Sequence, residues 1–148
     1  MMTRMVNRKH EGFTLIEVLI VIIVIAILAL IVIPRLLGAG RRAKEAVLRG
    51  DLNELRNAIQ QFESDLGDVP VGLDQLMAAK GSPPSGNGGG GLSLDPNGYQ
   101  GPYLRTGDGN LPKDPFTSAA DWAYTSATGG VHSASTLTAL DGTPYSGW

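Results

Sequence analysis

Cysteine is absent from this chain of 148 residues, and histidine occurs only twice. Without cysteine the chain has no disulfide, no cysteine-ligated zinc site, no iron–sulfur cluster and no c-type haem attachment. His10 lies in the polar N-terminal stretch, and His132 has no acid or nucleophile at a spacing that indicates a catalytic triad. The length leaves room for little more than one modest domain. These features exclude a large enzyme core and disfavour an enzymatic function.

A concentrated basic surface is also missing, and the net charge of the chain is −2. Residues 1–12 carry three basic residues against Glu11. Residues 67–148 carry seven acids against three bases. This distribution gives no indication of nucleic acid as a partner. It does predict topology, because a positively charged flank tends to stay in the cytoplasm while the chain beyond the apolar run crosses the membrane.

The long apolar run of the sequence covers residues 13–33, which are almost entirely Ile, Val, Leu and Ala. At about 1.5 Å per residue, a helix of these 21 positions crosses a hydrocarbon layer of about 30 Å. Thr14 and Glu17 interrupt the run. A carboxylate at this depth costs about 2.5–3.5 kcal/mol on insertion scales unless it finds a partner. The run therefore predicts a transmembrane helix in which Glu17 needs an explanation.

Residues 1–12 form a polar leader ahead of that helix. A secretory signal peptide is one interpretation, but it requires an apolar region of about 7–15 residues and then a cleavage site with small residues. Here the apolar run is longer, and Pro34 follows it directly. An uncleaved signal anchor is a second interpretation. The junction of Gly12 and Phe13, with Glu17 nearby, favours a third, in which cleavage on the cytoplasmic side leaves the apolar helix in the mature protein.

The sequence Gly-Phe-Thr-Leu-Ile-Glu at residues 12–17 resembles the processing signature of type IV pilins and type II secretion pseudopilins. In that family a prepilin peptidase cuts after the glycine and methylates the new N-terminal amine. The resemblance implies cleavage between Gly12 and Phe13, with N-methylation of Phe13. It also implies that Glu17 pairs with the N-terminal amine of a neighbouring subunit, rather than being a tolerated polar residue near the membrane interface. Pro34 falls where these proteins usually carry a helix-kinking proline, and a proline there removes a helical N–H.

A second apolar pattern follows Pro34 and predicts an amphipathic continuation of the helix, because its members recur at spacings of 4, 3, 4, 3 and 4. One helix over residues 13–66 would then have a membrane half, 13–33, and an amphipathic half, 34–66. We expect this apolar stripe to pack on the chain's own C-terminal domain, with Phe62 against a hairpin, because about three heptads barely suffice for a dimeric coiled coil. The stripe consists of Leu48, Leu52, Leu55, Ile59, Phe62 and Leu66.

Residues 67–148 predict a small globular domain of the periplasm. Gly67 and Pro70 end the helix, since glycine is a favoured C-cap and proline forbids continuation. Residues 73–80 predict a short second helix. Residues 82–91 contain four consecutive glycines and predict a flexible loop that does not fold alone.

The remaining segments of this domain predict short, turn-rich structure with apolar anchors. Residues 99–104 and 111–116 are expected to be irregular but packed. Residues 122–126 and 131–137 flank a Thr-Gly-Gly sequence and predict a β-hairpin that includes Trp122 and Tyr124. The fold class is therefore α+β, and the resemblance implies a type IV pilin-like fold, with the long helix packed on a small domain that holds a short antiparallel sheet.

The layout of this domain also resembles the globular part of the major pseudopilins of type II secretion systems, whereas large type IVa pilins usually carry a C-terminal cysteine pair. Those pseudopilins commonly hold calcium in a C-terminal loop rich in aspartate, and calcium takes about six to eight oxygen ligands. Residues 139–148 contain Asp141 as their one acid, with Asp108 and Asp114 as candidates to assist. We expect all three to be solvated turn residues, and assign no metal and no cofactor.

From these residues we predict a structural subunit of a type II secretion pseudopilus, which polymerises from the bacterial inner membrane into a periplasmic filament that helps to push exoproteins through the outer membrane. The resemblance implies a homo-oligomer that works with a prepilin peptidase, secretion platform proteins and minor pseudopilins. Two rival interpretations are a type IV pilus subunit, for adhesion, motility or DNA uptake, and an uncleaved membrane-anchored binding module. An enzyme is disfavoured because the sequence contains no catalytic cluster.

Overall fold

The computed structural model describes residues 12–148, apart from the side chains of residues 34–37. The longest element is the helix α1, Leu15–Leu66, with 52 residues. It ends at Gly67, whose positive φ of 89° suits a glycine C-cap and whose N–H donates to the carbonyl of Glu63 at 2.8 Å. The prediction of one continuous helix over residues 13–66 is confirmed to within two residues.

The chain divides into two compact units, Met1–Ala39 and Gly40–Trp148. In the first unit, α1 contains a window of 18 residues with a mean hydropathy of 3.6, none of which is buried. By length and composition this is the one described helix able to cross a membrane. The leader predicted at residues 1–12 lies outside the described residues, except for Gly12.

The second unit has a single hydrophobic core built on the stripe of α1. Every member of the stripe is at most 3% exposed, and Leu48, Leu55 and Phe62 are fully buried. Burial of each such side chain contributes about 1.5–3 kcal/mol. The stripe therefore packs on the chain's own domain, as its spacing predicted. The partners that cover it include Leu73, Leu76, Leu94, Tyr99, Leu104, Trp122, Val131 and Tyr145.

The predicted second helix at 73–80 is too long, since the structure has a five-residue 3₁₀ helix, Leu73–Met77. Tertiary hydrogen bonds explain its early end. The carbonyl of Leu76 accepts from the N–H groups of Tyr103 and Leu104 at 2.9 and 3.1 Å. The carbonyl of Ala78 accepts from the hydroxyl of Tyr99 at 2.7 Å. Carbonyls that accept these bonds are directed away from the next helical turn, so the helix stops. The same bonds hold the segments around Tyr99 and Leu104 in a packed, irregular conformation.

The predicted hairpin is present with shorter strands. Strand β1, Ala123–Thr125, pairs antiparallel with β2, Gly130–His132, so that Tyr124 lies opposite Val131. The strand predicted at 131–137 ends early because the hydroxyl of Ser133 accepts from the N–H of Ser135 at 3.0 Å, which holds the backbone in a local turn. The α+β class with a long helix and a short antiparallel sheet is confirmed.

Residues 82–91 form a loop, as predicted, and two of its glycines also have a packing role. The buried carboxylate of Asp68 accepts from the N–H groups of Val69 and Leu92, both at 2.8 Å. A Cβ on Gly88 would lie 2.6 Å from this carboxylate, and one on Gly90 would also collide with it. The glycines therefore let the loop backbone close around a buried acid.

Replacing Phe62 by alanine should destabilise the second unit by about 3–5 kcal/mol, because the ring is fully buried and the site would keep a cavity. The ring shares the core with Trp122 and Tyr124, and its edge-on aromatic partner is Tyr103 at 6.0 Å between centroids. Thermal melts of the chain in detergent, followed by circular dichroism, measure the change. Gln61→Ala, at an exposed neighbouring position, should melt within about 0.5 kcal/mol of the parent. Equal melts for the two variants would show that the stripe does not hold this domain.

Candidate processing and assembly site

The first turn of α1 contains a reciprocal contact between Thr14 and Glu17. The hydroxyl of Thr14 accepts from the N–H of Glu17 at 3.3 Å. A carboxylate oxygen of Glu17 accepts from the N–H and the hydroxyl of Thr14, both at 3.5 Å. This is the pattern of a capping box, in which residues three apart satisfy free N–H groups at a helix start. Sequence reasoning missed it, although the signal, Thr-x-x-Glu before an apolar run, was present.

The Glu17 carboxylate keeps most of its capacity to accept hydrogen bonds. Both of its contacts with Thr14 lie at the outer limit of hydrogen-bond distance. An ionised carboxylate has about four acceptor positions. Glu17 is also exposed in the single chain. The group is therefore free to bind a cation from outside its own chain.

Apolar side chains surround this carboxylate on every side of the helix. Large apolar residues between Phe13 and Ile33 are 45–85% exposed, the lowest being Leu19 and the highest Leu15. A contiguous apolar surface of this extent is incompatible with water and indicates contact with lipid or with other helices. A charge within it is stable only beside an opposite charge.

Gly12, Phe13 and Pro34 are the other residues predicted to act in processing and assembly. Gly12 and Phe13 precede the helix, and the Phe13 side chain is 80% exposed. Pro34 lies within α1, which continues to Leu66. The kink assigned to Pro34 stays a prediction.

The three candidate calcium ligands lie in separate local structures. Asp141 is exposed, and one of its oxygens accepts from the N–H and the hydroxyl of Thr143 at 2.9 and 2.6 Å, which lowers the pKa of Asp141. Asp108 is exposed in a turn, and its hydrogen bonds from Asn110 lower its pKa. Both match the expectation of solvated turn residues.

Asp114 contradicts that expectation, because it is fully buried. One of its carboxylate oxygens accepts from the N–H of Phe116 at 2.7 Å, and the other accepts from the hydroxyl of Ser133. The pairing of Asp114 with Ser133 spans 19 residues, which local spacing does not reveal. The pKa of Asp51 on α1 is raised mainly by burial, then by the charge of Glu54, and least by the charge of Asp114.

The donor set does not fit calcium. Among residues 12–148 no group of three or more His, Cys, Asp or Glu side chains could hold a metal ion. The carboxylate oxygens of Asp114 already accept from protein donors, as does one oxygen of Asp141. Calcium requires about six to eight free oxygen ligands around one point. These carboxylates therefore serve as acceptors for protein donors and not as a calcium site.

His132 has no catalytic arrangement around it in the described part of the chain. Its Nδ1 lies 3.1 Å from the carbonyl oxygen of Ser133, not from the hydroxyl. The Ser133 hydroxyl donates to Asp114, and both residues are fully buried. A nucleophile must reach its substrate, so this serine and acid form a structural pair.

Glu45 is a second residue that sequence reasoning missed. Its side chain is 13% exposed, and one carboxylate oxygen accepts from the N–H of Leu140 at 2.8 Å and the hydroxyl of Tyr145 at 2.9 Å. A signal did exist, because Glu45 stands three positions before Leu48 and so continues the stripe. A search for apolar periodicity alone passes over a carboxylate on the buried face.

Comparison with known proteins gives two matching family models. The model described as the prokaryotic N-terminal methylation motif matches residues 7–33. The model described as type II secretion system (T2SS), protein G, matches residues 35–141. Together they cover both the apolar segment and most of the second unit. No solved structure matches the chain significantly.

Several curated proteins are similar to this chain. The type II secretion system core protein G of Vibrio cholerae serotype O1 is 37% identical over 123 residues, covering 80% of this chain and 73% of the relative. The core protein G of Aeromonas hydrophila is 34% identical over 116 residues, covering 76% and 71%. The type IV wide pilus major component PilA4 of Thermus thermophilus is 47% identical over 58 residues, covering 39% and 44%.

The two secretion proteins match 80% and 76% of this chain, whereas the pilus component matches 39%. These relatives are named as components of a secretion system or a pilus. The resemblance stated from residues 12–17 and from the layout of the C-terminal domain is thereby confirmed. The chain belongs to the type II secretion system protein G family.

Proposed function

We propose that this protein is a structural subunit of a type II secretion pseudopilus, a helical filament of identical chains that grows from the inner membrane into the periplasm. The observation that carries the proposal is the division of α1. Its stripe is covered by the chain's own domain, while the apolar surface between Phe13 and Ile33 has no cover in the single chain. That surface suits lipid before assembly and neighbouring helices after it. Addition and removal of subunits would then push exoproteins through an outer-membrane channel.

Processing between Gly12 and Phe13 forms the first step of this proposal. The match of residues 7–33 to the methylation motif supports it. A prepilin peptidase would cut this bond at the cytoplasmic face of the membrane and methylate the amine of Phe13. Cleavage converts the uncharged peptide nitrogen of Phe13 into a positively charged N-terminal amine, two residues before α1 begins at Leu15.

Glu17 is the residue that we assign to assembly. Its carboxylate is exposed among apolar side chains, and its contacts with Thr14 are long. The N-terminal amine of a neighbouring subunit is the cation that fits, because each added chain brings one amine and one carboxylate. A buried pair of this kind selects the correct axial position, since a subunit in the wrong register would leave both charges unpaired.

The topology that accompanies this function is a single membrane pass. We infer that the N-terminus faces the cytoplasm and that residues 67–148 lie in the periplasm, because the basic residues of the chain's start favour the cytoplasmic side. Platform proteins and minor pseudopilins are the further partners of a filament of this kind. We place Pro34 at the exit from the membrane, where its missing N–H would let α1 bend as subunits pack.

A type IV pilus subunit is the second candidate function. The 47% identity to the Thermus thermophilus pilus component favours it, but over only 58 residues. Loss of the gene separates the two candidates. If the protein is a secretion subunit, cells without it should accumulate exoproteins in the periplasm. If it is a pilus subunit, cells without it should lose surface filaments and still secrete exoproteins.

The mature protein isolated from membranes should begin at Phe13 and carry one additional methyl group, because the peptidase performs both reactions at this junction. Intact-mass spectrometry of the purified chain measures both changes at once. Gly12→Leu is the matched variant, and it should keep the full leader and its unmethylated start. A mature chain that begins at Met1 would contradict the proposed processing.

Glu17→Ala should leave membrane insertion intact, because a costly charge is removed from the apolar run. Filaments should become scarce or absent, since breaking a buried charge pair costs about 3–5 kcal/mol. Crosslinking and electron microscopy of filaments give the readout. Thr14→Val is the control, because it removes both hydrogen bonds of the Thr14 hydroxyl and keeps the Glu17 carboxylate, so it should still assemble. Normal filaments from Glu17→Ala would refute the assembly role. An equal loss of filaments in both variants would show that Glu17 acts only by capping the helix.

A further inference from the structure

The C-terminal segment, residues 138–148, is attached to one face of α1 by charged side chains. Glu45 accepts from the N–H of Leu140 and from the hydroxyl of Tyr145, at 2.8 and 2.9 Å. One turn earlier on the helix, Arg41 donates to the carbonyl of Thr138, and its Nε lies 4.0 Å from the Glu45 carboxylate. Two adjacent turns of α1 thus hold the beginning and the middle of the segment.

Two more arginines continue this row along the helix. The guanidinium of Arg49 lies 4.2 Å from the ring centroid of Trp148 and 3.8 Å from the carboxylate of Asp141. Arg56 donates to the carbonyl of Val131 at 3.0 Å and also to a backbone oxygen of Trp148. The Arg49 pair with Asp141 is more than half exposed on both sides and contributes little. The cation–π contact and the bonds to carbonyls carry this end of the attachment.

The segment is also closed on itself around Tyr145. This side chain is fully buried, stacks on Phe116 at 4.3 Å, and meets Trp148 edge-on at 5.0 Å. The Trp148 indole N–H donates to the hydroxyl of Thr143 at 2.8 Å. Tyr145 thus belongs to the core and also donates to Glu45, so this carboxylate connects the buried ring of the segment to α1.

The resemblance to major pseudopilins implies a calcium ion that gathers carbonyls and carboxylates of this segment, and the residues here do not fit one. Asp141 is its one acid, and Thr143 and Arg49 already contact its two oxygens. The charged groups also lie on the other partner: in a calcium-bearing loop the segment itself supplies the carboxylates, whereas here the helix supplies most of the charge. Glu45 and the arginines supply the charge from the helix, and the segment supplies N–H, hydroxyl and carbonyl groups.

We propose that Glu45 is the anchor of the C-terminal segment and that residues 138–148 take their ordered position without a divalent cation. A carboxylate with two short hydrogen bonds at a largely buried position is a stronger tie than a neutral pair. This departs from the calcium-bearing loop that the resemblance to major pseudopilins implied. It does not depend on the proposed filament function, since it concerns the fold of a single chain.

The test compares the full chain in detergent in calcium and in a chelator. Calcium is added at about 10 mM, tenfold above the weakest dissociation constants typical of extracellular sites, about 10⁻³ M. The readouts are the melting temperature and the rate at which chymotrypsin cuts residues 137–145, resolved by mass spectrometry. The parent should show the same melt and the same cleavage rate in both. A calcium-dependent rise in melting temperature, or protection of the segment by calcium, would overturn the proposal.

Substitution of the anchor supplies the second arm of the test. Glu45→Ala should raise the cleavage rate of the segment about tenfold or more, the scale expected for loss of hydrogen bonds to a charged group. Glu63→Ala, at an exposed position of the same helix, should match the parent. Tyr145→Phe removes only one of the two bonds and keeps the ring stacked, so it should give an intermediate rate even if Glu45→Ala melts the domain. Parental rates in both Glu45→Ala and Tyr145→Phe would show that the segment is held without Glu45.

Discussion

Each half of α1 carries large apolar side chains that are unfavourable in water, and the rest of the structure depends on how each half is removed from water. Large apolar side chains between Phe13 and Ile33 are about half exposed or more, and each would gain up to about 1.5–3 kcal/mol by leaving water. The stripe from Leu48 to Leu66 has already made that gain inside its own domain. The same helix therefore requires a membrane or other subunits at one end and is self-sufficient at the other. This division is what a subunit needs if it must wait in a membrane and then polymerise.

The small domain solves a different problem, which is how to fold with little regular structure around one helix. Its two strands have three residues each, and its loop backbone is satisfied by local turns together with a few long-range bonds, such as those from Tyr103 and Leu104 to the carbonyl of Leu76. Buried acids serve as acceptors for loop N–H groups, as Asp68 does for Val69 and Leu92. Among the described residues, no buried side-chain nitrogen or oxygen lacks a hydrogen-bond partner. A chain without disulfides thus gains its order from polar pairing as well as from the apolar core.

The sequence predicts well wherever a local period or a terminal signal decides the structure. The 3- and 4-residue spacing of the stripe located its buried face, and Gly67 located the end of α1. Contacts distant in sequence were not predictable in this way. The burial of Asp114 depends on Ser133, and the role of Glu45 depends on residues almost 100 positions away. Composition located the glycine loop, but the close approach of Gly88 and Gly90 to Asp68 exists only in the folded chain.

α1 serves two environments, and a measurement on residues 40–148 alone tests this division of the helix. This segment contains the whole hydrophobic core and none of the exposed apolar run. Analytical ultracentrifugation and circular dichroism without detergent should find a folded monomer that neither binds vesicles nor polymerises. An unfolded chain would show that the stripe needs the membrane half for its fold, and a filament would show that assembly does not depend on the apolar run. Either result would contradict the division of α1 between a domain and a membrane or filament.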